Sequence, residues 1–292
     1  MKYTFFALLP FAAFSQEMTG PTLGWSPSED GRSLQAIYGV AGAARLGPAI
    51  AWPDELTNLL IGPSGQRAVA LQGDVPVLVD LVTRQRTPLR DATRGDLRIW
   101  SPLGTALLLA NRGQVRVYTQ RGATFEPLDE ITLPAESYAV SDDGSSILAT
   151  AGDDLLLRNS QGASVLGRKP AGFTFLARTN TPAFADGGEL VIGSHRFALP
   201  LDSPLLESPA AGRLLAVDRA NGKLIWFDDQ GTALAEAFCN CLVSRVERLG
   251  TAGTLRLVTA GNAPAWLAET SNSSNRLFFV PTANPATNEV EQ

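Results

Sequence analysis

Few residues in this chain could do chemistry, and their types narrow the choices quickly. There is one imidazole, His195, in Gly193-Ser194-His195-Arg196, and there are two thiols, in Cys239-Asn240-Cys241. A Ser-His-Asp triad would have to use His195, and no Gly-x-Ser-x-Gly elbow exists to meet it; His195 is expected on a surface turn. One His and two Cys cannot build the usual His/Cys zinc sites. Acidic pairs stand at Asp142-Asp143, Asp153-Asp154 and Asp228-Asp229. Calcium takes about six to eight oxygen ligands, and paired carboxylates could begin such a set. None of the three fits an EF-hand loop, however, and Asp142, Asp143 and Asp229 fall where tight turns themselves call for Asp. Neither a catalytic residue nor a metal ligand is assigned, and no cofactor is expected.

The thiols point instead to a covalent link. In an oxidising compartment, Cys239 and Cys241 are expected to form a mutual disulfide. Residues two apart on an ideal strand are about 6.7 Å apart, near the upper limit for a disulfide, so the segment has to bend. Metal capture by a reduced Cys-x-Cys pair is the alternative. The strongest local charge is a run of Arg84, Arg86, Arg90, Arg94 and Arg98, interrupted only by Asp91 and Asp96. Guanidinium forks bind carboxylate, phosphate or sulfate bidentately, so the run is a candidate anion or partner site; its alternative is a solvated strand and loop. Arg168-Lys169 is a smaller cluster of the same kind.

The elements that position these residues repeat. A small polar turn ending in Gly, followed at once by an apolar run, occurs as Gly62 to Gly65 before Ala68, Ser101 to Gly104 before Ala106, Ser141 to Gly144 before Ile147, and Ser208 to Gly212 before Leu214. Looser copies lie at Ser26 to Gly31 and Leu249 to Gly253. Gly31, Gly65, Gly104, Gly144, Gly212 and Gly253 are spaced by 34, 39, 40, 68 and 41 residues. The gap of 68 is two periods, which predicts a degenerate copy without the Gly near Asn180-Thr181-Pro182. A second turn, ending at Gly122, Gly162 and Gly231, falls 18 or 19 residues after the first. Gly accepts positive φ at such turns, and Asp or Ser before it bonds the turn backbone. Each unit therefore reads as four short strands, and Ala233 to Phe238 is the one candidate helix.

Seven units of four strands, each about 40 residues long, are the blades of a β-propeller. The expected fold is all-β, a seven-bladed β-propeller of four-stranded antiparallel blades over residues 16–283. The chain resembles bacterial WD40-like and YVTN-type β-propeller repeat proteins, and Val217 to Trp226 is similar to one quinoprotein-type repeat. Trp25 and Trp100 each precede Ser-Pro, which suits packing between blades; carbohydrate stacking is the alternative. Gly65, Gly104, Gly122, Gly144, Gly162, Gly212 and Gly231 are read as structural turn glycines. In such blades both Gly-ended turns lie on one face of the disc, so the other face, with the variable crossings, is expected to do the binding.

Composition fits this reading. The 292 residues carry 45% hydrophobic and 18% charged side chains, with 27 Gly and 19 Pro. A disordered chain is excluded, and the net charge of −5 gives no support for nucleic-acid binding. Residues 1–15 read as a secretory signal, with Lys2, an apolar stretch through Ala13 and a small-x-small ending at Ser15. That stretch is far short of the roughly 20 residues that span a bilayer, so no membrane span is expected after cleavage. Three Lys in the whole chain suggest a bacterium of GC-rich genome, and residues 284–292 are expected to be a disordered tail. The sequence therefore predicts an exported, monomeric binding module, periplasmic or secreted, whose ligand is a protein or an envelope component. The alternatives are a propeller hydrolase or lyase acting on a sugar or lactone, and a quinoprotein-like envelope assembly scaffold.

Overall fold

The computed structural model describes residues 21–27, 33–40, 42–51, 56–92, 97–249, 253–259, 265–270 and 275–280. The predicted signal, the tail and Arg94 lie outside these residues. Every element among the described residues is a strand, and these form seven antiparallel sheets, each from one contiguous stretch. The first contains β1 (Thr22–Pro27), β2 (Ser33–Tyr38) and β3 (Arg45–Ala51). The second contains β4 (Leu56–Ile61), β5 (Arg67–Gln72), β6 (Val75–Asp80) and β7 (Arg86–Pro88). The third runs through β8 (Leu97–Trp100), β9 (Ala106–Asn111), β10 (Gln114–Arg121) and β11 (Thr124–Thr132). The fourth has β12 (Ser137–Val140), β13 (Ile147–Ala151), β14 (Asp154–Asn159) and β15 (Gly162–Arg168). The fifth, at the degenerate copy, has β16 (Phe173–Phe175), β17 (Pro182–Asp186), β18 (Glu189–Ile192) and β19 (His195–Ala198). The sixth has β20 (Pro204–Ala210), β21 (Arg213–Asp218), β22 (Lys223–Asp228) and β23 (Ala233–Phe238). The seventh has β24 (Val243–Arg248), β25 (Thr254–Thr259), β26 (Ala265–Thr270) and β27 (Asn275–Val280).

Strands follow sequence order within each sheet. First strands of neighbouring sheets touch one another and form the inner wall. Each second strand has neighbouring sheets on both faces, and the clearest of them is a continuous apolar run, Ala-Leu-Leu-Leu-Ala of β9, all buried. Last strands are wet on one side and lose that signal, as in β15, with no buried residue. This explains Ala233 to Phe238. Its Ala-rich composition suits a helix, but six residues are too few to offset helix nucleation. The segment instead pairs with β22 from Lys223↔Phe238 to Phe227↔Ala233, so the one candidate helix is a strand.

Seven apolar clusters fill the seven gaps between sheets, and they close the ring. Leu34 with Ala68 and Val79 joins the first sheet to the second; Leu214 with Leu190 joins the sixth to the fifth. The last gap is filled by Ile37 and Ala44 of the first sheet against Leu249, Leu267 and Val280 of the seventh. Strand β27 completes the seventh sheet by itself, so closure rests on side-chain packing among the described residues. The fold is a seven-bladed β-propeller.

The repeated turn has a physical cause. In the third sheet, Ser101 Oγ accepts the Ala106 amide at 3.0 Å, while the Gly104 amide donates to Ser101 O at 2.9 Å. The fourth sheet repeats this with Ser141, Ser146 and Gly144. All seven turn glycines have φ between +62° and +119°. At Gly104 a Cβ would also stand 2.8 Å from Pro63 of the preceding blade, so that position serves the turn and the packing of neighbours together.

Candidate functional site

First-to-second and third-to-fourth turns share one face, here the turn face. Second-to-third turns and the connections between blades make up the crossing face. Between them runs a central cavity of about 630 Å³, walled by the first strands. It gathers three cations, Arg98, Arg245 and Arg248, and two carboxylates, Glu207 and Glu247. Arg245 Nε lies 2.7 Å from Glu247, and Arg248 Nε 3.7 Å from Glu207. Arg248 also donates to the carbonyls of Ser208 and Pro209. Burial pushes the Glu207 carboxyl up, and Arg248 pulls it back.

Arg98 is held differently. It donates to the carbonyl of Asn58, and two residues on, Trp100 Nε1 donates to Leu60 O at 3.3 Å. Strand β4 carries a register shift between Thr57 and Leu60, with Asn58 at φ +53°. Asn tolerates this left-handed conformation better than most residues, and bulges re-aim backbone groups next to functional sites. Among the described residues Arg98 has no carboxylate partner, and burial lowers its pKa.

The described members of the Arg run, Arg84, Arg86, Arg90 and Arg98, do not converge. Arg84 sits in the turn between β6 and β7, on the turn face, at φ +60°. Arg86 lies on the outermost strand of the second blade and Arg90 on the crossing after it. Arg98 lies on the innermost strand of the third. An outer strand and the next inner strand are adjacent in sequence but at opposite radii of the disc, so a linear cluster there is spread out by the fold. The backbone at Arg90 is anchored by Tyr118, whose hydroxyl donates to Arg90 O at 3.0 Å; burial drives that phenol to about 12.

His195 is exposed on β19, the outermost strand of its blade, and stacks on Phe197. It is remote from the channel in the order of the sheet, so the channel collects Arg and Glu without the imidazole. Asp142 and Asp143 act as turn chemistry between blades. Asp142 accepts the Leu103 amide of the third blade and the Arg178 amide of the fifth, both at 2.7 Å. Asp143 accepts from Ser141, Ser145 and Asn180, and these bonds outweigh desolvation to hold its carboxyl at about 2. Asp228 Oδ1 accepts the Gln230 and Thr232 amides. No group of three or more metal-type side chains occurs among the described residues.

Cys239 and Cys241 are joined in a disulfide with Cα atoms 5.2 Å apart. The bent segment lies on the crossing face against the turn at Gly222: the Cys239 amide donates to Gly222 O at 3.1 Å, and Val243 to Arg219 O at 3.0 Å. Gly222 is at φ +67°, and a Cβ there would stand 2.2 Å from Cys239 Sγ. The turn itself is capped by buried Asp218, which accepts from Ala220 and Asn221. Trp226 is fully buried between the sixth and seventh blades, with Nε1 2.9 Å from Thr270 Oγ1. Trp25 and Trp100 pack at the first-second and second-third gaps from inner strands. The Trp226 position on a third strand is therefore not repeated by either.

Exposed apolar side chains favour one face. Of ten large ones among the described residues, Val40, Val75, Leu97, Phe238, Leu242 and Phe279 sit at the crossing-face end of their strand or in a crossing-face loop. Val82 and Leu234 are on the turn face. Phe238 and Leu242 flank the disulfide at 57% and 63% exposure, and β23 touches β27, which carries Phe279. Sequence reasoning singled out Arg98 within the Arg run and missed the other charged residues of the channel, Glu207, Arg245, Glu247 and Arg248. Their signal was position: Glu207, like Arg98, lies on a first strand just ahead of a Gly-ended turn.

No family model matches the chain, and no curated protein does. Among solved structures, the β-propeller domain of Cps50 (Swd1) from Myceliophteria thermophila is similar, with a TM-score of 0.54 and 15% identity, over 78% of this chain and 88% of that one. A functionally unknown protein from Desulfotomaculum acetoxidans DSM 771 gives 0.56 and 11%, over 90% and 100%. The WD40 repeats of RRP9 give 0.52 and 11%, over 78% and 81%. At these identities the likeness is one of fold, and it places the chain beside WD40 β-propeller domains in architecture.

Proposed function

We propose that this protein is an exported, non-catalytic binding module of bacterial origin, and that its crossing face takes a protein partner. The observation that carries the reading is an exposed apolar set on the crossing face: Phe238 and Leu242, which flank the disulfide, and Phe279 on the adjoining blade. Apolar side chains clustered on one face mark interaction sites, and binding residues concentrate on loops held by a rigid scaffold. Export is supported by the signal-like residues 1–15 and by the disulfide, a link that persists in oxidising compartments. A non-catalytic role is supported by the channel chemistry. A hydrolase or lyase of sugars or lactones needs a positioned acid and base; here Glu207 and Glu247 are each paired with an arginine, and His195 lies on an outer strand.

The test is capture from the native compartment with three baits: the wild type, Phe238→Ser with Leu242→Ser on the crossing face, and Val82→Ser with Leu234→Ser on the turn face. The expected result is one enriched partner, lost at least tenfold by the first variant and retained by the second. Equal loss from both, or loss only from the turn-face variant, overturns the reading.

A further inference from the structure

The channel holds an arginine that the fold fixes in place and that has no carboxylate partner among the described residues. Arg245 and Arg248 each face a glutamate, which leaves Arg98 as the surplus charge of the lining among the described residues. A guanidinium has five N–H donors, and Arg98 uses one side of the fork on a single backbone carbonyl, that of Asn58. That carbonyl is presented by a bulge in β4 whose Asn58 is in the left-handed region. Arg98 and Trp100 are two apart on β8, hence on the same side of the strand. They bond carbonyls two apart on β4, at Asn58 and Leu60. The pair is thus clamped side by side, an ionic donor next to an indole, in a cavity of about 630 Å³. That volume is within the range of small-molecule sites, which combine an apolar lining with a few fixed polar groups.

We propose that Arg98 anchors a small organic anion in the channel, its carboxylate or phosphate head on the guanidinium and a flat apolar body against Trp100. Entry is from the crossing face, because Arg98 lies near the start of β8 and the exposed Leu97 precedes it at that mouth. The remaining fork donors supply charge-assisted bonds to the head. The site does not depend on the partner-binding reading, since none of its residues belongs to the Phe238, Leu242 and Phe279 set.

The experiment is a tryptophan-fluorescence titration of the whole protein with three probes. Benzoate carries head and body, inorganic phosphate the head alone, and benzyl alcohol the body alone. Benzoate is expected to give a saturable change at millimolar concentration or below, with each of the other two at least tenfold weaker. Arg98→Gln should weaken benzoate at least tenfold, and Arg98→Lys, which keeps the charge and loses the fork, at least threefold. Thermal melts of both variants verify folding, and if Arg98→Gln does not fold, Arg98→Lys decides. The proposal is overturned by the absence of saturation with benzoate, by unchanged affinity in the folded variants, or by phosphate or benzyl alcohol binding as tightly as benzoate.

Discussion

Replacing Gly222 by Ala tests the contact between the disulfide and the turn it covers. The new Cβ meets Cys239 Sγ at 2.2 Å and Cys241 O at 2.7 Å, and the backbone there has φ +67°. An Ala in the left-handed region costs about 1–2 kcal/mol. Overpacking against a neighbour that is unable to retreat adds roughly 1–3 kcal/mol. The expected total is about 3 kcal/mol, or a fall in Tm of around 6–12 °C for a domain of this size. With Cys239→Ala and Cys241→Ala the sulfur is gone and the segment is free to move away, which leaves mainly the backbone cost. Urea unfolding of the four proteins in that cycle should therefore give a coupling of about 1–2 kcal/mol between Gly222 and the disulfide. If Gly222→Ala costs the same in both backgrounds to within about 0.5 kcal/mol, the sulfur does not crowd the turn and the reasoning fails.

Three further outcomes are expected. Asp142→Ala removes the acceptor shared by the Leu103 and Arg178 amides and should lower unfolding stability by about 1–3 kcal/mol, while Asp142→Asn, which keeps one oxygen, should cost less. Asp143, held at about 2 against an ordinary 3.8, contributes stability above its unfolded value that is lost as pH falls from about 4 towards 2; Asp143→Asn should flatten that limb of a pH-dependent melt. Trp226→Ala empties a fully buried site between the sixth and seventh blades and should cost about 3–5 kcal/mol in denaturant unfolding.

The blade count was legible because a tight turn constrains residue type at one position. Gly104 and Gly144 must adopt positive φ, and Ser101 and Ser141 must bond the turn amide, so these turns recur visibly. Outer strands were less legible, since an edge strand is selected by its partner's hydrogen bonds more than by its own pattern. Ala233 to Phe238 shows this. The channel was the least legible part. Arg98 meets Asn58, and Arg248 meets Ser208, each across 40 residues, one blade away, so no local window contains a site. The Arg run is the opposite case: it is close in sequence, but its described members run from the outer edge of one blade to the inner edge of the next. Cys239 and Cys241 carried the clearest local signal, because two residues that close leave few other ways to satisfy both thiols in an oxidising compartment.

The central claim is that the crossing face is the working face. Amide hydrogen exchange on the isolated protein and on its complex with the captured partner tests it most directly. Protection is predicted at residues 39–44, 73–75 and 238–243, with the Gly-ended hairpins at Gly104, Gly144, Gly162 and Gly231 unchanged. Protection confined to those hairpins, with the crossing loops exchanging as in the free protein, would contradict the account.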